Sequence, residues 1–248
     1  MDEAVVDFVR GLVARTEAVL GEELLAMSLV GSLATGDARP ASSDIDLLVV
    51  IDRAPDDAQR QLLAEEVVSL GLRCPWQGLE YVVYQADAVR APTYPLPYTL
   101  NINAGPGRET HVTSGGDSSH WFLLDVAMAR QDAIALRGPP LRDLIAEPLP
   151  ADVLRAIHDA LAWHGAHDRS SPHAVLNACR SWRWIDTRRW ASKSEAARWA
   201  LAQASGSDDA AVIADALAAR YTPITRLDED RVAAFLARVS RMGERDDE

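Results

Sequence analysis

Asp44-Ile45-Asp46 opens an apolar run, Leu47-Leu48-Val49-Val50-Ile51, that reads as a buried strand. Strand side chains alternate faces, so Asp44 and Asp46 point one way and Ile45 points into a core. Two carboxylates about 7 Å apart along a strand can hold the same hard cation. Mg²⁺ suits such a pair, because it binds one or two carboxylates and shares its other positions with substrate phosphates. Upstream, Gly31-Ser32 follows the apolar Leu29-Val30 and precedes Asp44 by a spacer of eleven residues. A turn there brings backbone N–H groups and the Ser32 hydroxyl to face phosphate oxygens. Ser43, immediately before Asp44, offers a second hydroxyl for the same phosphates.

A third carboxylate is expected on the next strand. Gly78-Leu79-Glu80-Tyr81-Val82-Val83-Tyr84 is strongly β-prone, with Glu80 near its start. Paired beside the Asp44–Asp46 strand, Glu80 completes an acidic triad. Neighbouring carboxylates repel unless a cation neutralises them. Glu80 is therefore read both as a metal ligand and as a proton acceptor.

A lone Asp-x-Asp is usually a solvent-facing strand end, and a lone Gly-Ser says less. The ordered combination is sharper: apolar strand, Gly-Ser, spacer, Asp-x-Asp on a second strand, then Glu on a third. It resembles the signature of the nucleotidyltransferase superfamily, built around DNA polymerase beta-like palms.

The elements that must carry these residues are legible in the periodicity. Residues 3–20 have helical spacing of Val5, Val9, Leu12 and their neighbours, closed by Gly21. Strands are expected at 25–30, 45–51 and 79–85, with a helix over 56–70 before Gly71. The Pro-, Gly-, Thr- and Ser-rich stretch 91–118 reads as an irregular insertion with one strand, Tyr98 to Asn103. From Ser118 the period turns helical to about 134. Beyond Pro148-Leu149-Pro150 the chain reads as helix throughout: 151–163, 173–187, 193–203, 208–220 and 228–242. Ser192 and Glu195 read as a capping box for the third of these. The expected architecture is an α/β (α+β) palm over 1–150 and an all-α bundle over 151–248.

The 248 residues, 48% of them hydrophobic, suffice for two cores. Two cysteines far apart, Cys74 and Cys179, suggest neither a disulfide framework nor a zinc cluster. The acidic N-terminus does not resemble a signal peptide, and no apolar run approaches a membrane span. A cytoplasmic monomer is expected. The net charge of −12 disfavours nucleic acid, which needs basic surface, and suits a cationic small molecule. Part of that charge sits in the tail Glu244–Glu248, expected to be frayed. Trp182, Trp184 and Trp190 read as core or domain-interface aromatics, and His158, His164 and His167 as surface residues without metal-ligand spacing.

The second half carries a narrower resemblance. Val175-Leu176-Asn177-Ala178-Cys179-Arg180-Ser181-Trp182 and Lys193-Ser194-Glu195-Ala196-Ala197-Arg198-Trp199-Ala200-Leu201 are similar to the C-terminal domain of aminoglycoside nucleotidyltransferases that modify streptomycin and spectinomycin. Arg180, Lys193, Ala196, Ala197, Trp199, Ala200 and Tyr221 fit that family's pattern. The stretch Asp125–Leu136 before Gly138-Pro139 resembles its inter-domain helix.

The resemblance implies that Asp44 and Asp46 ligate Mg²⁺, that Glu80 is the base, and that Gly31, Ser32 and Ser43 meet phosphate. It implies that Arg180, Lys193 and Tyr221 reach ATP across a cleft between two domains. It implies acceptor contacts from Glu80, Trp163 and Asp168, the last two spaced as in the family's streptomycin-binding pair. Where the family has a Gly-Glu-Trp segment lining the antibiotic pocket, this chain has Thr99-Leu100-Asn101-Ile102-Asn103, so Asn103 stands there and no Trp does. The expected activity is ATP- and Mg²⁺-dependent adenylyl transfer to a hydroxyl of an aminoglycoside or aminocyclitol, in the setting of antibiotic resistance. Two other classes remain open: a protein-AMPylating enzyme of toxin–antitoxin type, and a non-catalytic ligand-binding relative.

Overall fold

The structure, a computed structural model, describes residues 2–115, 120–204, 208–222 and 226–244. Ser118, where the helical period was expected to begin, and the tail 245–248 lie outside them. The chain divides into two compact units, Met1–Pro148 and Leu149–Glu248.

The first unit is built on a mixed sheet of six strands: β1 (Leu24–Val30), β2 (Ile45–Ile51), β3 (Leu79–Gln85), β4 (Leu100–Ala104), β5 (His111–Thr113) and β6 (Ile134–Arg137), ordered β5-β4-β3-β2-β1-β6. β2 and β3 are parallel and the other neighbours antiparallel. The parallel pair requires a crossover, supplied by helix α3 (Asp57–Gly71), which begins in a full capping box between Asp56 and Gln59. Helix α1 (Glu3–Leu20) ends at Gly21, whose φ of +56° needs a residue without Cβ.

Alternation divides the sheet's two faces. Ile45, Leu47, Val49 and Ile51 of β2, with Leu79, Tyr81 and Val83 of β3, form one core with Val5, Val9 and Leu12 of α1 and Leu63 and Val67 of α3. Within that core the Tyr81 hydroxyl meets Thr16 Oγ1 at 2.9 Å. Burial pushes the Tyr81 phenol well above its ordinary pKa. On the other face, Tyr84 packs edge-on against Phe122 of α5 (His120–Asp132), ring centres 6.3 Å apart. Tyr84 stands four residues beyond the Asp46–Glu80 rung. A one-turn helix, α2 (Gly31–Ala34), follows β1, and a short α4 (Ala86–Arg90) follows β3.

β2 spans Ile45–Ile51 as expected, and Asp44, read with Asp46 as one strand face, lies one residue ahead of the ladder. Two expectations for this unit are corrected. The insertion holds two strands, β4 and β5, rather than one. The expected inter-domain helix to Leu136 stops at Asp132, and 134–137 is an edge strand on β1. Its mainly exposed side chains carry no alternation signal. Only the pairing with Met27–Leu29 makes it a strand.

The second unit is all helical in its described residues: α6 (Pro150–His167), α7 (Pro172–Thr187), α8 (Lys193–Gln203), α9 (Asp208–Ala218) and α10 (Glu229–Glu244). Its core gathers Ile157, Val175, Cys179, Ala197, Ile213 and Phe235, with Trp182, Trp184 and Trp190 all buried as expected. Ser192 caps α8 by accepting the Glu195 N–H at 3.2 Å. The expected return bond of a capping box is not formed, because the Glu195 carboxylate pairs instead with Arg183 at 2.8 Å. No helix among the described residues is long and apolar enough to cross a membrane.

Candidate active site

The end of the first unit's sheet nearest the Gly31 turn carries a row of polar residues set by register. Val30 of β1 pairs with Asp46 of β2, Asp46 with Glu80 of β3, Glu80 with Asn103 of β4, and Asn103 with His111 of β5. Adjacent strands are about 4.8 Å apart, so partners in a row present neighbouring side chains to one face. Asp46 and Asn103 are half-buried and Glu80 is exposed. The Asn103 amide donates to Asn101 Oδ1 at 3.3 Å, which braces the row on β4.

Gly31 has φ +63°, a conformation that side chains resist. A Cβ there would collide with the Asp46 carboxylate, standing 2.9 Å from its Cγ. The glycine thus lets the β1–α2 turn lie directly against Asp46. The turn is held by Asp37 N–H donating to Ser32 O at 3.0 Å and by the Thr35 hydroxyl donating to Gly31 O and Ser32 O, both 3.2 Å. Ser43 Oγ accepts the Arg39 N–H at 3.0 Å, closing the loop that delivers Asp44. That hydroxyl is therefore in use as a loop brace as well as standing beside the acidic pair.

Asp44 has a partner that the sequence did not signal. Arg108 Nη1 donates to Asp44 Oδ1 at 2.6 Å, across 64 residues of chain. Gly105-Pro106-Gly107 turns the chain to deliver it. A Cβ on Gly105 would stand 2.6 Å from Gln77 O and 3.1 Å from Arg108 Cδ. The visible cue was only a cation after a Gly-Pro-Gly turn, and nothing local says which carboxylate it meets.

The donor set fits Mg²⁺ in one way and not another. Among the described residues no three His, Cys, Asp or Glu side chains gather into a group that could hold an ion. Glu80 sits on the next strand, as expected, in register with Asp46, and Asp44 is turned to Arg108. Asp44 and Asp46 offer hard oxygen donors beside a turn that a Cβ would fill. This suits a cation that takes its other ligands from phosphates.

The second unit holds the other expected residues. Lys193, the first residue of α8, approaches His173 Nδ1 of α7 at 3.5 Å. The ammonium charge, with partial loss of water around the ring adding to it, pushes the His173 imidazole down to about 4. A neutral ring can accept from Lys193, whereas a charged one would repel it. Arg180 Nε donates to Ala191 O at 3.2 Å, fixing the α7–α8 connection. Tyr221, after α9, is exposed.

Asp168, the C-cap of α6, accepts from His164 Nδ1 at 3.2 Å, and the Asn177 amide donates to His164 Nε2 at 3.0 Å. With Nε2 accepting, the proton of the neutral ring sits on Nδ1 and points at Asp168. His164 is only 3% exposed, so the expected surface placement is corrected. Burial lowers its pKa, Asp168 opposing, and keeps the ring neutral. Trp163, 39% exposed, stacks on His167 with centres 5.0 Å apart.

A mixed sheet with paired Asp and Glu at register beside a glycine turn is the palm of a nucleotidyltransferase. The nucleotidyltransferase domain family matches residues 19–77, and the family described as aminoglycoside adenylyltransferase, C-terminal domain, matches 145–242. The two matches lie in the same order as the two units, and the chain is similar to the aminoglycoside nucleotidyltransferase family. It is similar to spectinomycin 9-adenylyltransferases of Staphylococcus aureus, strains N315 and Mu50 included. The match is 25% identical over 190 residues, 74% of this chain and 73% of the relative. Its fold is also that of a spectinomycin adenyltransferase from Enterococcus faecialis solved with ATP and spectinomycin. That likeness has a TM-score of 0.74 at 15% identity, covering 97% of this chain and 99% of the other.

Proposed function

We propose that this protein transfers the adenylyl group of ATP to a hydroxyl of an aminocyclitol or aminoglycoside. The observation that carries the reading is the register of Asp46 with Glu80, one step apart on parallel strands, beside the Gly31 turn. Asp46 and Asp44 would hold Mg²⁺, which neutralises triphosphate charge as pyrophosphate leaves. Glu80, exposed at the open end of the row, takes the proton from the acceptor hydroxyl. The freed oxygen attacks the α-phosphorus, the new P–O bond forms, and the bond to the β-phosphate oxygen breaks. Gly31 and Ser32 present the turn to phosphate oxygens, with Ser43 close behind Asp44. Lys193 and Arg180 supply positive charge to the triphosphate, with Tyr221 as a further nucleotide contact. The acidic row and the net charge of −12 draw an acceptor bearing ammonium groups.

The acceptor range includes streptomycin as well as spectinomycin on this reading. The specific support is Asp168, held by a buried His164 whose tautomer is set by Asn177, with Trp163 exposed five residues before it. Asn103, in register with Glu80, is the acceptor contact proposed in the first unit.

Purified protein with ATP, Mg²⁺ and each antibiotic in turn, monitored for pyrophosphate and for product mass, tests the proposal. A mass gain of one adenylyl group on spectinomycin or streptomycin is expected. Pyrophosphate release with neither, or adenylylation of a protein instead, would overturn it. Loss of streptomycin turnover alone in Asp168→Ala would identify the second acceptor's contact.

A further inference from the structure

We propose that Arg108 is a resident counter-ion for Asp44, which a divalent cation must displace, so that metal binds poorly until nucleotide arrives with it. The inference rests on the metal-site reading given under Proposed function. Arg108 Nη1 donates to Asp44 Oδ1 at 2.6 Å and lies 3.4 Å from the Gln77 carbonyl. That is the carboxylate read as a metal ligand, and one of its oxygens is already satisfied by a full positive charge.

The berth is built rather than incidental. Gly78 is buried, and a Cβ on it would stand 2.6 Å from Arg108 Nη1 and 2.9 Å from Asp44 Oδ1. Gly105 leaves room for the Arg108 aliphatic stem, and the Arg108 N–H donates back to Gly105 O at 3.2 Å. Two glycines far apart in sequence therefore open space for one guanidinium. The pair is nevertheless exchangeable. The Arg108 side chain is 51% exposed and Asp44 23%, and an ion pair so open to water is weak.

The consequence is an order of events. Without nucleotide, a dication gains one carboxylate fewer and meets a cation a few ångströms away, so its affinity is low. With ATP the phosphates add ligands and negative charge for both cations. The metal takes Asp44, and Arg108 is released beside the triphosphate, where a planar guanidinium binds phosphate oxygens well.

The test needs no turnover. Mn²⁺ alone is titrated into the full chain without nucleotide, and the free ion is followed by electron paramagnetic resonance. Wild type is compared with Arg108→Ala and with Arg108→Gln, which keeps polarity and bulk if the alanine variant folds poorly. Removing the competing charge should tighten Mn²⁺ binding about tenfold, and Asp44→Asn should abolish the gain. Equal or weaker binding in both Arg108 variants, with binding still lost in Asp44→Asn, would overturn the counter-ion and leave the metal site standing. Binding indifferent to Asp44→Asn would remove the metal reading itself, and the proposal with it.

Discussion

Asp46 lies opposite Glu80 across the parallel β2–β3 ladder, so two carboxylates from strands 34 residues apart in number share one rung. One rung gives them neighbouring positions but different work. Asp46 abuts the Gly31 turn, whereas Glu80 faces the open side of the sheet next to Asn103.

Those different positions predict different kinetic losses. Asp46→Asn keeps the shape but not the charge, so turnover should vanish while the folded state persists by circular dichroism. Glu80→Gln should lower kcat by about 10²–10⁴-fold with ATP affinity nearly unchanged. Lost ATP affinity with normal turnover at saturation would instead make Glu80 a binding group.

Gly31→Ala tests the close approach of the turn. An alanine at φ +63° is strained and its methyl group strikes Asp46. The strain should cost about 1–2 kcal/mol of stability by denaturant titration. Displacement of the carboxylate should reduce kcat/KM for ATP on the order of 10²-fold. A stability loss with unimpaired kcat/KM would separate the glycine from the site.

His173 should stay neutral far below the usual histidine range. Its pKa is held near 4, first by the Lys193 ammonium and then by partial loss of water around the ring. Because the folded value is depressed, the unfolded chain takes up its proton first. This contribution to stability is complete above the unfolded value, 6.5, and falls as pH drops from there through 4. Proton NMR of the His173 ring should show the low midpoint, and Lys193→Ala should move it up towards 6.5. An unmoved midpoint would mean that the two side chains do not interact.

Thr16 and Tyr81 make a buried hydroxyl pair beneath the sheet. Thr16→Val leaves the Tyr81 hydroxyl with no partner there and should cost about 1–3 kcal/mol. Tyr81→Phe should cost less, because the Thr16 hydroxyl can turn to a carbonyl of its own helix. Urea midpoints of the two variants check the ranking, and the reverse order would contradict it.

Sequence periodicity determined most of the secondary structure, because amphipathic spacing reports burial directly. The strands Leu24–Val30, Ile45–Ile51 and Leu79–Gln85 and the helices of the second unit fall close to where alternation and 3.6-residue spacing put them. The Gly-Ser and Asp-x-Asp pairs were legible for the same reason: they interrupt apolar strands where nothing apolar is needed. Residues 134–137 were not legible, since an exposed edge strand has no hydrophobic period and exists only through its partner β1. Nor was the burial of His164, because an isolated histidine gives no sign that Asp168 and Asn177 will satisfy both ring nitrogens. The pairing of Arg108 with Asp44 was decided by tertiary structure alone. It depends on the space left at Gly78 and Gly105, and sequence records a missing side chain without recording what comes to occupy its place.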